Sequence, residues 1–261
     1  MVYALELKTV QTNAFKVLTE ALKEILTDAN IEFTNTGMRI VAMDPSKTVL
    51  VHLKLNAENF EHYYCQEKLI VGVSMLNFFK LIKTITNNDT LTIFIEEADS
   101  NQLGIRIENG EKNSTTDYKL NLMDLDEEAI QIPPAQFESI ITMPSSQFQK
   151  ICRDMGNLSD TIEIQSVGQQ LIFRCDGDFA KQTTKLGETV SGLSFVKNND
   201  PTDIIQGYYN LRHLVLFTKC TNLCNSIEIF MKNNFPIVIK FAVGSLGSLK
   251  LALAPTSHSS E

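Results

Sequence analysis

The chain has 261 residues, of which 43% are hydrophobic and 21% charged, and its formal net charge is −8. That length suits one large domain or two of ordinary size, and the composition is that of a folded protein. The opening MVYALELK alternates like a strand and lacks the apolar core of an export signal, no apolar run approaches membrane-spanning length, and the negative balance argues at first sight against nucleic acid.

In chain order, Ala14 to Ala29 (AFKVLTEALKEILTDA) places apolar residues at 15, 18, 22, 25 and 26, one face of a helix. IEF at 31–33, a glycine turn and MRIVAMD read as a hairpin. Ser74 to Thr86 (SMLNFFKLIKTIT) is a second helix, followed by strands TLTIFI at 90–95, LGIRIEN at 103–109 and YKLNL at 118–122. The stretch LMDLDEEAIQIPPAQF then runs from Leu122 to Phe137. It begins apolar, carries Asp124, Asp126, Glu127 and Glu128, and brings Ile130, Ile132, Pro133 and Pro134 together. Prolines end regular structure, so this is a connector, acidic and apolar at once.

The second half repeats the first. Helix Ser145 to Gly156 (SSQFQKICRDMG) precedes IEI at 162–164 and QLIFRC. Helix Tyr209 to Thr221 (YNLRHLVLFTKCT) precedes SIEIFM at 226–231, IVIKFAV at 237–243 and LKLAL at 249–253. A nearly constant offset of about 131–136 residues relates the matching elements, which points to two copies of one domain. The expected division is 1–121 and 137–255, joined by a connector at 122–136 and followed by a flexible tail at 256–261. Alternating strands with helices on one face give an α+β class built of antiparallel sheets.

Charge is unevenly placed. The four predicted helices carry Lys16, Lys23, Lys80, Lys83, Lys150, Arg153, Arg212 and Lys219 against four acids, while the remainder is strongly acidic. The i,i+3 pairs 80/83 and 150/153 and the i,i+7 pairs 16/23 and 212/219 put two cations on one face of each helix. Solvated helix faces explain any one pair, and Glu20 could ladder with Lys16 and Lys23. All four together favour a surface facing a polyanion, one that contacts phosphates without reading bases.

Catalytic signatures are missing. No phosphate-cradling loop is present, and GSLGS at 244–248 is explained by a hairpin. His52, His62, His213 and His258 fit no metal motif, and the connector acids lack a nucleophile or fixed partner. Cys65, Cys152, Cys175, Cys220 and Cys224 form no C-x-x-C and are expected as buried thiols in a reducing compartment. Neither an enzyme, a metal site nor a cofactor is expected.

LMDLDEEAIQIP with MPSSQFQKICRDM, EALKEIL, AMDPSKTVLVHLKL, LRHLVLFTK and the closing LALAP together resemble the eukaryotic-type DNA sliding-clamp family, that of proliferating cell nuclear antigen. The likeness runs from about residue 4 to 255. It implies a clamp fold: a homotrimer closing into a pseudo-sixfold ring whose twelve helices line a hole. At an interaxial spacing of about 8–10 Å, twelve helices make a circle roughly 31–38 Å across, leaving a duplex-sized opening of about 20–28 Å. The resemblance implies that Lys112 joins the eight helix cations in facing double-stranded DNA, regardless of sequence. It implies a polymerase processivity factor that tethers DNA polymerase, clamp loader and other replication and repair proteins through a short aromatic and aliphatic motif. The pocket for that motif would use Met43, Leu50, Ile130, Ile132, Pro133, Pro236, Ala252, Ala254 and Pro255. Subunits would join between Thr115, Asp117, Tyr118 and Leu120 of one chain and Phe179, Lys181, Thr183 and Lys185 of the next. A nuclear location, or a site of viral DNA replication, is expected.

The chain departs from the family in places. Ala252 stands where an aromatic is common, and the family's modifiable lysine of the second domain aligns near Gly168. The tail TSHSSE is less acidic than usual. Two other readings are a subunit of a heteromeric checkpoint-type clamp and a protein-interaction scaffold without a DNA role.

Overall fold

A computed structural model describes residues 2–126, 130–197 and 203–256. Glu127 and Glu128 of the acidic connector, His258 and the tail beyond Thr256 lie outside the described residues. The chain forms two compact units, one of Met1–Ser46, Val51–Ile130 and Ala242–Leu249, the other of Lys47–Leu50, Gln131–Phe241 and Lys250–Glu261.

Unit 1 begins with β1 (Tyr3–Thr9), α1 (Thr12–Ile25), β2 (Asp28–Thr34), β3 (Gly37–Met43) and β4 (Val49–Asn56). It continues with β5 (His62–Cys65), β6 (Leu69–Ser74), α2 (Met75–Ile82), β7 (Asp89–Glu96), β8 (Asp99–Asn109) and β9 (Ser114–Asn121). Its strands order as β5-β1-β7-β8-β9 and β4-β3-β2-β6.

Unit 2 begins with β10 (Ser139–Pro144), α3 (Ser145–Gly156), β11 (Thr161–Val167), β12 (Gln170–Asp176) and β13 (Lys181–Gly187). Next come β14 (Ser194–Lys197), β15 (Ile204–Asn210), α4 (Leu211–Phe217), β16 (Ser226–Met231), β17 (Ile237–Val243) and β18 (Gly247–Leu253). The order β14-β10-β16-β17 repeats β5-β1-β7-β8, and β13-β12-β11-β15 repeats β4-β3-β2-β6. The repeat read from the sequence is thus a repeat of topology.

The strands form because their apolar residues fall on one face. Leu91, Ile93 and Ile95 of β7 are buried, as are Ile227, Ile229 and Met231 of β16. The helices bury the complementary stripe: Phe15, Leu18, Leu22 and Ile25 of α1, and Phe148, Ile151 and Met155 of α3. Each fully buried Leu or Phe contributes about 1.5–3 kcal/mol. Cys65, Cys152, Cys175 and Cys220 lie in these cores, and burial raises their thiol pKa values, which keeps them protonated.

Sheet pairing moves two helix ends, and a side-chain hydrogen bond lies beyond a third. The first helix stops at Ile25, because Asp28 and Ala29 pair with Ser74 and Val73 in the β2–β6 ladder. The second stops at Ile82; beyond it the Thr86 amide donates to the Asp89 carboxylate at 2.7 Å. The fourth starts at Leu211, since Tyr209 and Asn210 pair with Ile162 and Thr161 of β11. Asn210 then caps it, its side-chain oxygen accepting from the Arg212 amide at 2.9 Å. A 3₁₀ segment, Thr218–Leu223, follows α4. The 212/219 pair therefore does not lie on one continuous α-helix, and its i,i+7 face is corrected.

Two buried hydroxyls tie the sheets of unit 2: Ser139 Oγ of β10 and Ser166 Oγ of β11 lie 2.8 Å apart. Removing one strands the other without a partner, whereas removing both does not. Ser139→Ala is expected to lower unfolding free energy by about 1–2 kcal/mol, and Ser139→Ala/Ser166→Ala by no more than the single change, in a double-mutant cycle by denaturant unfolding.

Candidate functional site

Each unit presents a helix pair with cations on its solvent side. In unit 2, Lys150 and Arg153 of α3, Arg212 of α4 and Lys219 of the 3₁₀ segment are exposed. They form no ion pair among the described residues. In unit 1, Lys80 and Lys83 at the end of α2 are exposed, with Lys80 3.4 Å from Asn77 Oδ1.

Lys16 and Lys23 differ, being half-buried and engaged within unit 1. Lys16 Nζ donates to the Ile85 carbonyl at 3.2 Å, stitching α1 to the segment after α2. Lys23 pairs with Glu24 and lies 4.9 Å from the centre of the Phe79 ring. Their charge is partly spent on holding the helices together.

Lys112 sits in the turn between β8 and β9, exposed to solvent. The turn is fixed from below. Asn109 Nδ2 donates to Asp89 Oδ1 at 2.6 Å, and the Lys112 amide donates to Asn109 Oδ1 at 2.9 Å. Burial raises the pKa of Asp89, but the Thr86 amide, the Asn109 side chain and the Lys112 charge outweigh it and hold the carboxyl below its ordinary value.

The residues expected at the subunit junction fall on two sheet edges. Thr115, Asp117, Tyr118 and Leu120 belong to β9, the last strand of the five-stranded order in unit 1. Asp117 holds Arg106 of β8, its Oδ1 accepting from Nε at 2.7 Å. Lys181, Thr183 and Lys185 belong to β13, an edge of the four-stranded order in unit 2. Phe179, just before it, is 78% exposed. No further strand pairs beyond β9 or β13 among the described residues.

The nine residues expected to form the motif pocket divide between the units. Met43 and Ile130 fall in unit 1; Leu50, Ile132, Pro133, Pro236, Ala252, Ala254 and Pro255 fall in unit 2. Met43 and Ile132 are exposed apolar side chains, and Pro133 and Pro255 are exposed as well. Leu50, Ile130, Pro236, Ala252 and Ala254 are half-buried. The Ala254 amide donates to the Thr48 carbonyl at 3.2 Å, which fixes the chain after β18.

Sequence reading missed a cavity of about 560 Å³ in unit 2, walled by Gln206, Tyr208, Asn233, Phe235, Pro255 and Thr256. Of the nine expected pocket residues, Pro255 lines it. Its walls are cross-linked: the Gln206 amide donates to Asn233 Oδ1 at 2.8 Å, and Asn233 Nδ2 to the Ile204 carbonyl at 2.9 Å. The available signal was NNFP at 233–236, an asparagine turn presenting an aromatic before a proline. Gly168, aligned near the family's modifiable lysine, has φ +56° in the turn between β11 and β12. A lysine there would be strained.

A duplicated unit of two antiparallel sheets with a cation-bearing helix pair is the clamp fold. The family model described as "Proliferating cell nuclear antigen, N-terminal domain" matches residues 4–129, and that described as "Proliferating cell nuclear antigen, C-terminal domain" matches 131–256. The chain belongs to the proliferating cell nuclear antigen family. It is similar to "Probable DNA polymerase sliding clamp 1" of Paramecium bursaria Chlorella virus 1, with 38% identity over 253 residues, 95% of either chain.

The Asp89 network carries a pH dependence. A carboxyl whose folded pKa is lowered adds stability that is present above the unfolded value, near 4, and lost as pH falls through the folded value. Acid unfolding followed by circular dichroism is expected to lose part of its slope below about pH 4 in Asp89→Asn, which removes the titrating group.

Proposed function

We propose that this chain is a DNA sliding clamp that encircles duplex DNA as a homotrimer and tethers DNA polymerase as a processivity factor. The carrying observation is the duplicated unit itself: both halves match clamp domains, and each holds a helix pair with exposed cations. Phosphate contacts of that kind are strong in sum, individually weak and blind to sequence, which suits a protein that must stay on DNA and still move along it.

The further parts of the reading rest on narrower support. DNA-facing residues are Lys80, Lys83, Lys112, Lys150, Arg153, Arg212 and Lys219, with Lys16 and Lys23 in a mixed role. Subunits join β9 to β13 of the next chain, a pairing supported by the edge position of both strands in their sheets. Residues 1–121 and 137–255 act as the two clamp domains, 122–136 as their connector and 256–261 as a tail. A short aromatic and aliphatic motif of polymerase, clamp loader or repair protein docks against Met43, Leu50, Ile130, Ile132, Pro133, Pro236, Ala252, Ala254 and Pro255. Family members are scaffolds rather than catalysts, and we assign this chain no reaction or cofactor. Its place of action is the site of viral DNA replication or the nucleus, the viral option being supported by the viral relative.

Light scattering of the purified protein is expected to give about three chain masses. Replacing Lys80, Lys83, Lys150 and Arg153 together with Glu is expected to cut processive synthesis on primed circular DNA by at least about tenfold while leaving that mass unchanged. Undiminished synthesis by a trimeric quadruple variant would remove the DNA-facing assignment.

A further inference from the structure

The strand β6 is an edge of its sheet, paired on one side with β2 through Asn30 and Gly72. On its other side the chain leaving β9 returns to it. The Leu122 amide donates to the Asn101 carbonyl at 3.0 Å, and the Met123 amide to the Gly72 carbonyl at 2.8 Å. Met123 and Gly72 form a single antiparallel bridge. Two residues on, the Leu125 carbonyl accepts from Asn30 Nδ2 at 3.3 Å. The start of the connector is thus held by three hydrogen bonds, to β8, β6 and β2 in turn.

Glycine at 72 is what lets it lie there. A Cβ at this position would stand 2.4 Å from the Met123 carbonyl oxygen and 2.8 Å from Leu125 Cγ. The nearer obstacle is backbone, so the connector would have to lift. A glycine inside a strand often marks such a close approach of a second backbone.

Unit 2 offers an internal comparison. The ladders β2–β6 and β11–β15 correspond end to end, with Asp28–Ser74 matching Thr161–Asn210. By that register Gly72 corresponds to Tyr208, and Asn30 to Glu163. The chain leaving β18 also returns to its edge strand, the Thr256 amide donating to the Tyr208 carbonyl at 2.8 Å. There the edge residue carries a ring, whose hydroxyl donates to Glu163 at 3.0 Å and which walls the 560 Å³ cavity. The same docking is used twice: with glycine it seats a connector, with tyrosine it leaves an opening.

We propose that Gly72 is a positioning residue for partner binding: it seats Met123 and Leu125, the start of the connector whose Ile130 and Ile132 are assigned to the partner-motif site. This rests on the reading that the connector borders the partner-motif site. Seating that start in advance spares a partner this part of the ordering cost.

The test uses the full chain as wild type, Gly72→Ala and Leu125→Ala, the last leaving β6 untouched. Hydrogen exchange of the Met123 amide reports the seat; calorimetric titration with a synthetic peptide bearing aromatic and aliphatic anchors reports the partner site; light scattering reports assembly. Gly72→Ala is expected to speed Met123 exchange at least about tenfold and to weaken peptide binding about five- to tenfold at unchanged assembly mass. Leu125→Ala should move both readouts the same way by less. Unchanged Met123 exchange in Gly72→Ala overturns the proposal, as does peptide affinity equal to wild type in the variants. If Gly72→Ala does not fold, unchanged affinity in Leu125→Ala overturns it alone. A wild type that binds no anchor peptide removes the function reading beneath it, and the partner role of Gly72 falls with it, while Met123 exchange still reports the seat.

Discussion

The controlling constraint is what happens at the edges of sheets. A strand with a neighbour on one side presents a row of backbone donors and acceptors on the other, and those groups need partners or water. Four of the edges here are treated in two ways. On β6 and β15 the chain folds back on itself, through the Met123 and Thr256 amides. On β9 and β13 no strand follows among the described residues. The first pair of edges fixes where the segments leaving β9 and β18 run. The second pair, in the proposed ring, is the means by which one chain continues the sheet of another.

The same constraint explains which sequence readings survived. Apolar periodicity reported the buried face of Phe15, Leu18 and Leu22, because a helix buries whichever stripe it has. It misjudged helix ends, because Ala29 and Tyr209 are acceptable in a helix and are taken by a ladder instead. Local sequence cannot report that competition. Nor does LIVGVS reveal that residue 123 will come back to its glycine; the signal lies some fifty residues away. Lys23 read as a solvated cation, since nothing nearby in sequence announces the Phe79 ring. The cavity beside Phe235 was hidden for the same reason: its walls come from three separated segments.

Electrostatics follows the same division of labour. The strands and turns hold most of the ion pairs: Lys8 with Glu108, Lys68 with Glu32, Arg106 with Asp117, Lys119 with Glu96 and Lys240 with Glu228. Such surface pairs add little stability, typically about 0–1 kcal/mol, but they cancel charge locally. Of the eight helix cations, Lys23 alone forms an ion pair among the described residues. The net charge of −8 therefore conceals helices whose positive charge is largely uncompensated. At physiological ionic strength exposed charges are screened within about 8 Å, so acids farther away do little to repel a duplex brought, as proposed, against those helices. What decides DNA contact is the charge within a Debye length of the phosphates. By that measure a chain acidic overall can hold a polyanion, loosely enough that no single contact fixes its position along it.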